Sequence, residues 1–331
     1  MKAVWYENVG SARAVLQHGE MPAPAPGPDE VLVRLRASGV NPSDVKARAG
    51  LRGGKSSMAY PRIIPHSDGA GTIEALGGPS SRFKPGDRVW VANAQWRRAW
   101  GTAAEFLAID ESLVFPLPDA VPFEVGAALG IPALTACHAV TGYGPVEGKV
   151  VLVSGGAGTV GSLAVQFARQ SGAFVVASGS LADREQILRT GAHAFVDYRS
   201  ARLAEEVLRA TDGRPLDHVV EVEFGDNIQA VAELLSERST VVAYGSAKTQ
   251  KPELPFYSLM FKGVRLELLL VYLLTRQERG AAAARINELL ASGALDVAVS
   301  TVIPLDECAR AHEIVESGKR SGAVILQVPE Q

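Results

Sequence analysis

Cysteine is nearly missing from this chain: Cys137 and Cys308 are the only two among 331 residues. Two thiols cannot form the disulfide framework of a small secreted scaffold. They suit a reducing, cytosolic setting in which a cysteine is most simply a small buried hydrophobe. Surplus charge is lacking too. The formal net charge is −3, with no basic footprint for nucleic acid. Long apolar runs are absent; the cluster Leu266 to Leu274 contains Glu267 and falls short of the roughly 20 residues that cross a bilayer. The first ten residues, MKAVWYENVG, lack the apolar core of a signal peptide and read as a strand. What remains is an ordinary globular composition, 47% hydrophobic and 21% charged, on a chain long enough for two domains with sizeable cores.

The most telling segment is VVLVSGGAGTVG, Val150 to Gly161. A valine-rich run reads as a strand buried on both faces, and it passes directly into Gly156-x-Gly158-x-x-Gly161. A helical pattern follows, with Leu163, Val165, Phe167 and Ala168 among small and polar residues. Strand, glycine turn and helix together predict a dinucleotide site. The glycines let the backbone approach a pyrophosphate, and the N–H groups at the helix start, including those of Thr159 and Val160, receive the anion. The plainer alternative is a steric turn in an α/β sheet.

The next predicted strand, Ala173–Ala177, ends in Ser178-Gly179-Ser180. An NAD site of this type carries an acidic residue near that point, about 20 residues after the glycines. Here the first acid is Asp183. The uncharged strand end leaves room for a 2′-phosphate that Arg184 can reach, which favours NADP over NAD. A solvated Arg184 next to Asp183 is the competing reading.

The first third is β-rich. Val31, Val33 and Leu35 alternate with Leu32, Arg34 and Arg36, Met21–Glu30 holds four prolines and must be a loop, and Thr72–Leu76 and Arg88–Ala92 are separated by a Lys84-Pro85-Gly86-Asp87 turn. This is a compact, partly barrel-like domain. The middle alternates strands (150–153, 173–177, 194–196, 218–222, 240–244, 265–271) with helical patterns such as Arg202–Thr211 and Ile228–Glu237, a doubly wound parallel sheet of about six strands. An alanine-rich helix, Glu278–Ser292, a helix near Asp306–Ser317 and a strand, Ala323–Val328, complete the chain.

Several segments occur together in order: Gly39-Val40-Asn41-Pro42-Ser43-Asp44, Asp68-Gly69-Ala70-Gly71, Lys84-Pro85-Gly86-Asp87-Arg88-Val89, Ala104-Glu105-Phe106, Gly130 to Ala136 (GIPALTA), Arg189-Thr190-Gly191-Ala192 and Asp197-Tyr198. With the glycine loop, they resemble the medium-chain dehydrogenase/reductase superfamily, and within it the zinc-free quinone oxidoreductases that include ζ-crystallin. The resemblance implies a Rossmann domain, 124–271, inserted in a GroES-like catalytic domain made of 1–123 and 272–331, with the active cleft at their junction. It also implies homodimers that pair through the strand near Leu266–Val271.

The same resemblance assigns residues. Asn41 would face the acceptor, the other reading being a turn residue before Pro42; Asp44 would orient the loop as a helix cap, with a proton donor as the lesser reading. Thr135 would lie near the nicotinamide or be a packed helix-start residue, and Tyr198 would lie beside the adenosine phosphate or pack on the sheet edge. Lys319 falls in a family-like segment and reads as a solvated lysine, with an approach to the phosphate as the alternative. From the fold itself, Gly245 and Ser246, after the strand at 240–244, should line the cofactor cleft. Where the family often has a tyrosine facing the substrate, this chain has Lys46; Trp96 and Trp100 are alternative aromatic surfaces. Zinc relatives need cysteine and histidine ligands. Here the corresponding slots read Pro42 or Ser43, Ser67 and Ile131, and the four-cysteine structural lobe is missing. His66 sits one residue early and, with no evident partner, reads as a core or wall histidine.

Without a metal, a carbonyl must be polarised by hydrogen bonds, which suits intrinsically electrophilic acceptors such as quinones and α,β-unsaturated carbonyls. The expected activity is an NADPH-dependent, metal-free reductase of such small molecules, in the cytoplasm, with neither nucleic acid nor membrane as partner. Two alternatives stand beside it. One is an enoyl-thioester reductase in which Lys46 and Arg48 or Arg52 contact a carrier's phosphates; the other is a non-enzymatic, crystallin-like NADPH-binding protein.

Overall fold

Valine and isoleucine runs bounded by glycine turns form the strands. The computed structural model describes residues 1–51, 58–79 and 82–329; Arg52 lies outside them. Val150–Val153 is buried at every position, as a central strand covered on both faces must be. It lies third in a six-stranded, all-parallel sheet ordered Ala194–Asp197, Phe174–Gly179, Val150–Val153, Leu216–Glu221, Leu235–Ala243, Arg265–Leu268. In chain order this is 3-2-1-4-5-6, the Rossmann arrangement, whose strand order reverses beside the first strand and opens a ligand crevice there.

Most element ends shift by a few residues from expectation, and two such shifts show their cause. The helix predicted to reach Glu237 ends at Leu234, because Leu235 turns extended (φ −68°, ψ 139°) and opens the next strand opposite Leu216. The strand predicted to reach Val271 stops at Leu268, and Val271–Leu273 forms a 3₁₀ turn.

The other sheet has seven strands, in the order Val299–Pro304, Ala323–Gln327, Glu30–Val40, Asp68–Leu76, Arg88–Val91, Val114–Pro116, with Phe106–Asp110 also paired on Glu30–Val40. The eleven-residue strand Glu30–Val40 organises it. Its first half alternates, with Val31, Val33 and Leu35 at 0–1% exposure; from Ala37 onward both faces are buried, and Gly39 passes so close to Ala127 that a Cβ would meet its carbonyl oxygen at 2.1 Å. The C-terminal strand Ala323–Gln327 pairs antiparallel with this N-terminal one.

The chain accordingly divides into two compact units, Met1–Ile131 with Asn287–Gln331, and Pro132–Ile286. The expected seams at 123/124 and 271/272 fall earlier than these divisions. Each division lies inside a helix, Gly130–Thr141 and Arg276–Ala291, where the sequence carries no turn signal. Among the described residues, no helix is long and apolar enough to cross a membrane.

Candidate active site

In the Rossmann unit the three motif glycines have different neighbours. A Cβ on Gly156 would stand 2.9 Å from the Ala177 Cβ, and one on Gly161 only 2.1 Å from the Gly155 carbonyl oxygen. Both glycines are demanded by packing of loop, strand and helix. A Cβ on Gly158 would find only the Gly155 oxygen, at 3.4 Å. Gly158 is the N-cap of the helix Thr159–Gln170, with extended φ −71° and ψ 162°. Packing tolerates a side chain there, so the open side of this turn suits a group approaching the backbone. The first-turn N–H groups, Thr159 and Val160 included, face that side without intrahelical partners.

At the end of the neighbouring strand, Ser178 is buried and its hydroxyl accepts a 3.3 Å bond from Gly155 N, so it braces the glycine loop. Ser180 is engaged by Asp183: its N–H donates to Asp183 Oδ2 at 3.2 Å, and its hydroxyl donates to the same oxygen. The strand end that reads as uncharged in sequence therefore has a carboxylate folded back on it. Arg184 is exposed. Tyr198 is 43% exposed, and its N–H donates to Gly179 O at 3.2 Å, which sets it beside this strand end. Arg199 follows it, with Nε 3.1 Å from the Tyr198 hydroxyl, and Lys248 Nζ lies 6.0 Å from the tyrosine ring centroid. The family resemblance singled out Tyr198 but missed both cations; Lys248 in particular is joined to it only by tertiary folding.

Gly245 allows close approach, since a Cβ would stand 2.4 Å from Val222 O. The Ser246 hydroxyl accepts from Gly225 N at 2.9 Å and donates to Thr249 O, so it acts as a loop brace. Thr135 is buried on the helix Gly130–Thr141. Another residue that the motifs did not reveal is Glu221, at the C-terminal end of a strand next to Val150–Val153. It is 1% exposed and accepts from Glu223 N and Asn227 Nδ2 through Oε1, while Oε2 is buried without a partner among the described residues. Burial pushes its carboxyl above the usual range, against the pull of those hydrogen bonds.

In the other unit, Asn41 is the N-cap of the helix Pro42–Arg48. Its backbone N–H donates to Asp44 Oδ2 at 2.8 Å, the reciprocal half of a capping box. Its side-chain Nδ2 donates to Asp68 Oδ2 at 2.7 Å. That same oxygen accepts from Ile131 N at 2.8 Å, and Gly130 has no Cβ because one would meet Asp68 Oδ1 at 2.1 Å. Asp68 is fully buried, and burial drives its carboxyl well above the usual range, reinforced by the nearby Asp44 and opposed by its two hydrogen bonds. Asp68 was legible as part of a motif, but its hold on Asn41 comes from strand register: it sits opposite Gly39, two residues before the asparagine. Lys46 is exposed on the same helix. Arg48 is 1% exposed and is consumed by Gly10 O and Glu316, so it is not a phosphate contact. Lys319 is exposed after the helix Cys308–Ser317, and Trp100 packs half-buried against the core.

Residues 27–119 match the alcohol dehydrogenase GroES-like domain, and residues 159–292 match the zinc-binding dehydrogenase domain. A quinone oxidoreductase of Sus scrofa is 30% identical over 329 residues, spanning 98% of this chain and 97% of its own. This chain belongs to the quinone oxidoreductase family of medium-chain dehydrogenases/reductases. It is accordingly an oxidoreductase, which removes the non-enzymatic reading. A mycobacterial quinone oxidoreductase superimposes with a TM-score of 0.88 at 30% identity, covering 99% of each chain. The Escherichia coli quinone oxidoreductase, solved in complex with NADPH, gives 0.84 at 26% identity, covering 99% of this chain and 100% of its own.

The positions that the family resemblance assigns to zinc ligands hold Pro42 or Ser43, Ser67 and Ile131. The expectation that His66 lacks partners is corrected, however. Its Nε2 lies 2.9 Å from His312 Nε2 and 3.9 Å from Cys308 Sγ, although neither residue is near it in sequence.

Proposed function

We propose that this oxidoreductase uses NADPH to reduce quinones or other α,β-unsaturated carbonyl compounds without a catalytic metal. The observation that carries the reading is Asn41, buried at a helix start with its amide anchored on Asp68. A primary amide has two N–H donors; one is spent on Asp68, and the second is directional and available to an acceptor oxygen. Bound nicotinamide supplies the hydride. Asn41 donates to the acceptor oxygen as negative charge grows on it, and Asp68 holds the amide so that no reorganisation is needed at that moment. Gly158 and the first-turn N–H groups receive the pyrophosphate, Arg199 and Lys248 around Tyr198 supply positive charge for a 2′-phosphate, and Thr135 and Glu221 offer polar atoms to the rest of the cofactor.

Lys46 is an exposed point charge that favours anionic or phosphate-bearing acceptors. It keeps an enoyl-thioester substrate in view, although Arg48 does not contribute. Two copies of the chain are proposed to pair through Arg265–Leu268, the edge of the six-stranded sheet, where Leu268, Leu270 and Leu273 are exposed. The two free, buried thiols fit a cytoplasmic setting.

The test is a screen of NADPH oxidation across quinones, alkenals and enoyl thioesters, with and without a zinc chelator. Turnover on these electrophiles that is indifferent to the chelator is expected. Turnover confined to alcohols or simple ketones, or dependent on added zinc, refutes the assignment.

A further inference from the structure

The catalytic unit contains a cluster of ligating side chains that the proposed reaction does not use. His66 lies two residues before the strand Asp68–Leu76, while Cys308 and His312 lie four residues apart on the helix Cys308–Ser317 and so share one face. Their exposures are 0%, 1% and 0%. One donor atom from each lies within 4.8 Å of the others. Cys308 belongs to a buried apolar cluster that includes Val40, Ile64, Leu305 and Val315.

Neighbouring hydrogen bonds determine where the protons are. The Thr102 hydroxyl donates to Asp68 O at 2.6 Å, so it accepts from Ser38 Oγ at 2.7 Å. Ser38 Oγ has then spent its proton and accepts from His66 Nδ1 at 2.9 Å. His66 therefore carries its proton on Nδ1 and turns the Nε2 lone pair toward Cys308 and His312. A ring nitrogen tied down in this way fixes the tautomer and orientation of metal-ligating imidazoles.

We propose that His66, Cys308 and His312 form a trigonal site for a soft, monovalent d¹⁰ cation of the Cu(I) class. Thiolate and imidazole are soft donors. Three ligands, closed off from water, suit a three-coordinate ion better than zinc, which takes four. One thiolate against one positive charge leaves a neutral complex, the least costly form in an apolar interior. Burial pushes the free Cys308 thiol up, Asp44 adds to that and Arg48 opposes it, so the thiolate forms only against the charge of the ion. Metal–nitrogen bonds of ~2.0 Å at 120° hold their nitrogens ~3.5 Å apart, so the 2.9 Å pair opens by about half an ångström. Binding exchanges the Cys308 thiol proton for the metal ion, and the His312 proton moves from Nε2 to Nδ1. One proton leaves per ion, and no electron is transferred. The bound ion clips together segments 242 residues apart.

The experiment titrates the full-length, reduced protein with Cu(I) under anaerobic conditions, in competition with a chromophoric Cu(I) chelator. One equivalent per chain, a raised Tm and release of about one proton are expected. Outer-sphere partners alone are worth about 10- to 100-fold in metal affinity. Ser38→Ala should therefore weaken binding by that range and Cys308→Ala by more than ~100-fold, while Cys137→Ala leaves it unchanged. X-ray absorption at the copper edge of the unmodified protein should show one sulfur and two imidazole nitrogens, a readout independent of whether Cys308→Ala folds. Absence of stoichiometric binding, a copper ion without sulfur, affinity that survives Cys308→Ala in folded protein, or Zn(II) held more tightly than Cu(I) overturns the assignment.

Discussion

The glycine loop allows cofactor binding and folding to be separated by two single-methyl substitutions. In Gly161→Ala the new methyl would stand 2.1 Å from a backbone oxygen, with no flexible side chain to yield. Overpacking of this kind costs about 1–3 kcal/mol and more where backbone must shift, so Tm should fall by several degrees. In Gly158→Ala the nearest atom is at 3.4 Å and the backbone is already extended. Alanine at such a compatible position is neutral or stabilising by about 0.4–1 kcal/mol. Its methyl instead takes space on the side where the pyrophosphate is proposed to approach. NADPH affinity should drop at least tenfold, about 1.4 kcal/mol, with Tm of the free protein unchanged or raised. The assay pairs a thermal melt with fluorescence titration of NADPH. A Gly158→Ala protein that binds NADPH as tightly as the unmodified chain would show that the turn is steric only, and the cofactor assignment would fail at its foundation.

Asn41→Ala should lower turnover ~10²-fold on both a neutral quinone and an anionic enoyl substrate, with NADPH affinity retained; if turnover changes less than about threefold while Tm drops, Asn41 is only a cap. Lys46→Tyr should raise activity on the quinone relative to the anionic substrate, and an unaltered ratio makes Lys46 a solvated rim residue. Arg199→Ala should weaken NADPH binding more than NADH binding, whereas Asp183→Asn should strengthen the NADPH preference; parallel titrations that show equal effects on both nucleotides rule out a phosphate contact. His218 is buried with Nε2 2.7 Å from Ala139 O, and burial lowers it to about 4 despite that bond. Its unfolded value is near 6.5, so its contribution, up to about 3 kcal/mol, is present above pH ~6.5 and is lost as pH falls toward ~4. Denaturant melts of His218→Gln should show a shallower loss across that window, and identical slopes would remove His218 as the cause.

Period and punctuation made the fold legible. Val150–Val153 and Phe174–Gly179 are apolar runs between glycines, and alternation in Glu30–Val40 marked a one-sided strand. What escaped was long-range. Asp68 grips Asn41 through strand register, Lys248 reaches Tyr198 from beyond the fifth strand, and Asp183 folds back onto Ser180 through a local cap that a reading of strand-end charge overlooks. The His66 cluster had one usable signal, the Cys308-x₃-His312 spacing on one helical face. Nothing in linear order ties that helix to residue 66.

The pairing of the last strand with one of the first also governs the order in which the molecule assembles. Val40 and Val324 are register partners, 284 residues apart (324 minus 40). The Rossmann unit is a single continuous segment whose contacts are available as soon as Ile286 has been synthesised. The other sheet cannot acquire Ala323–Gln327 until synthesis has passed residue 327, and until then Glu30–Val40 carries an unpaired edge next to Gly39 and Val40. Closing so long a loop is far easier once the intervening chain is already a folded body with its ends defined, because the entropy of the flexible segment has been removed beforehand. Pro132–Ile286 can therefore close on its own contacts before the other sheet has all its strands, with Ala323–Gln327 as the last to join.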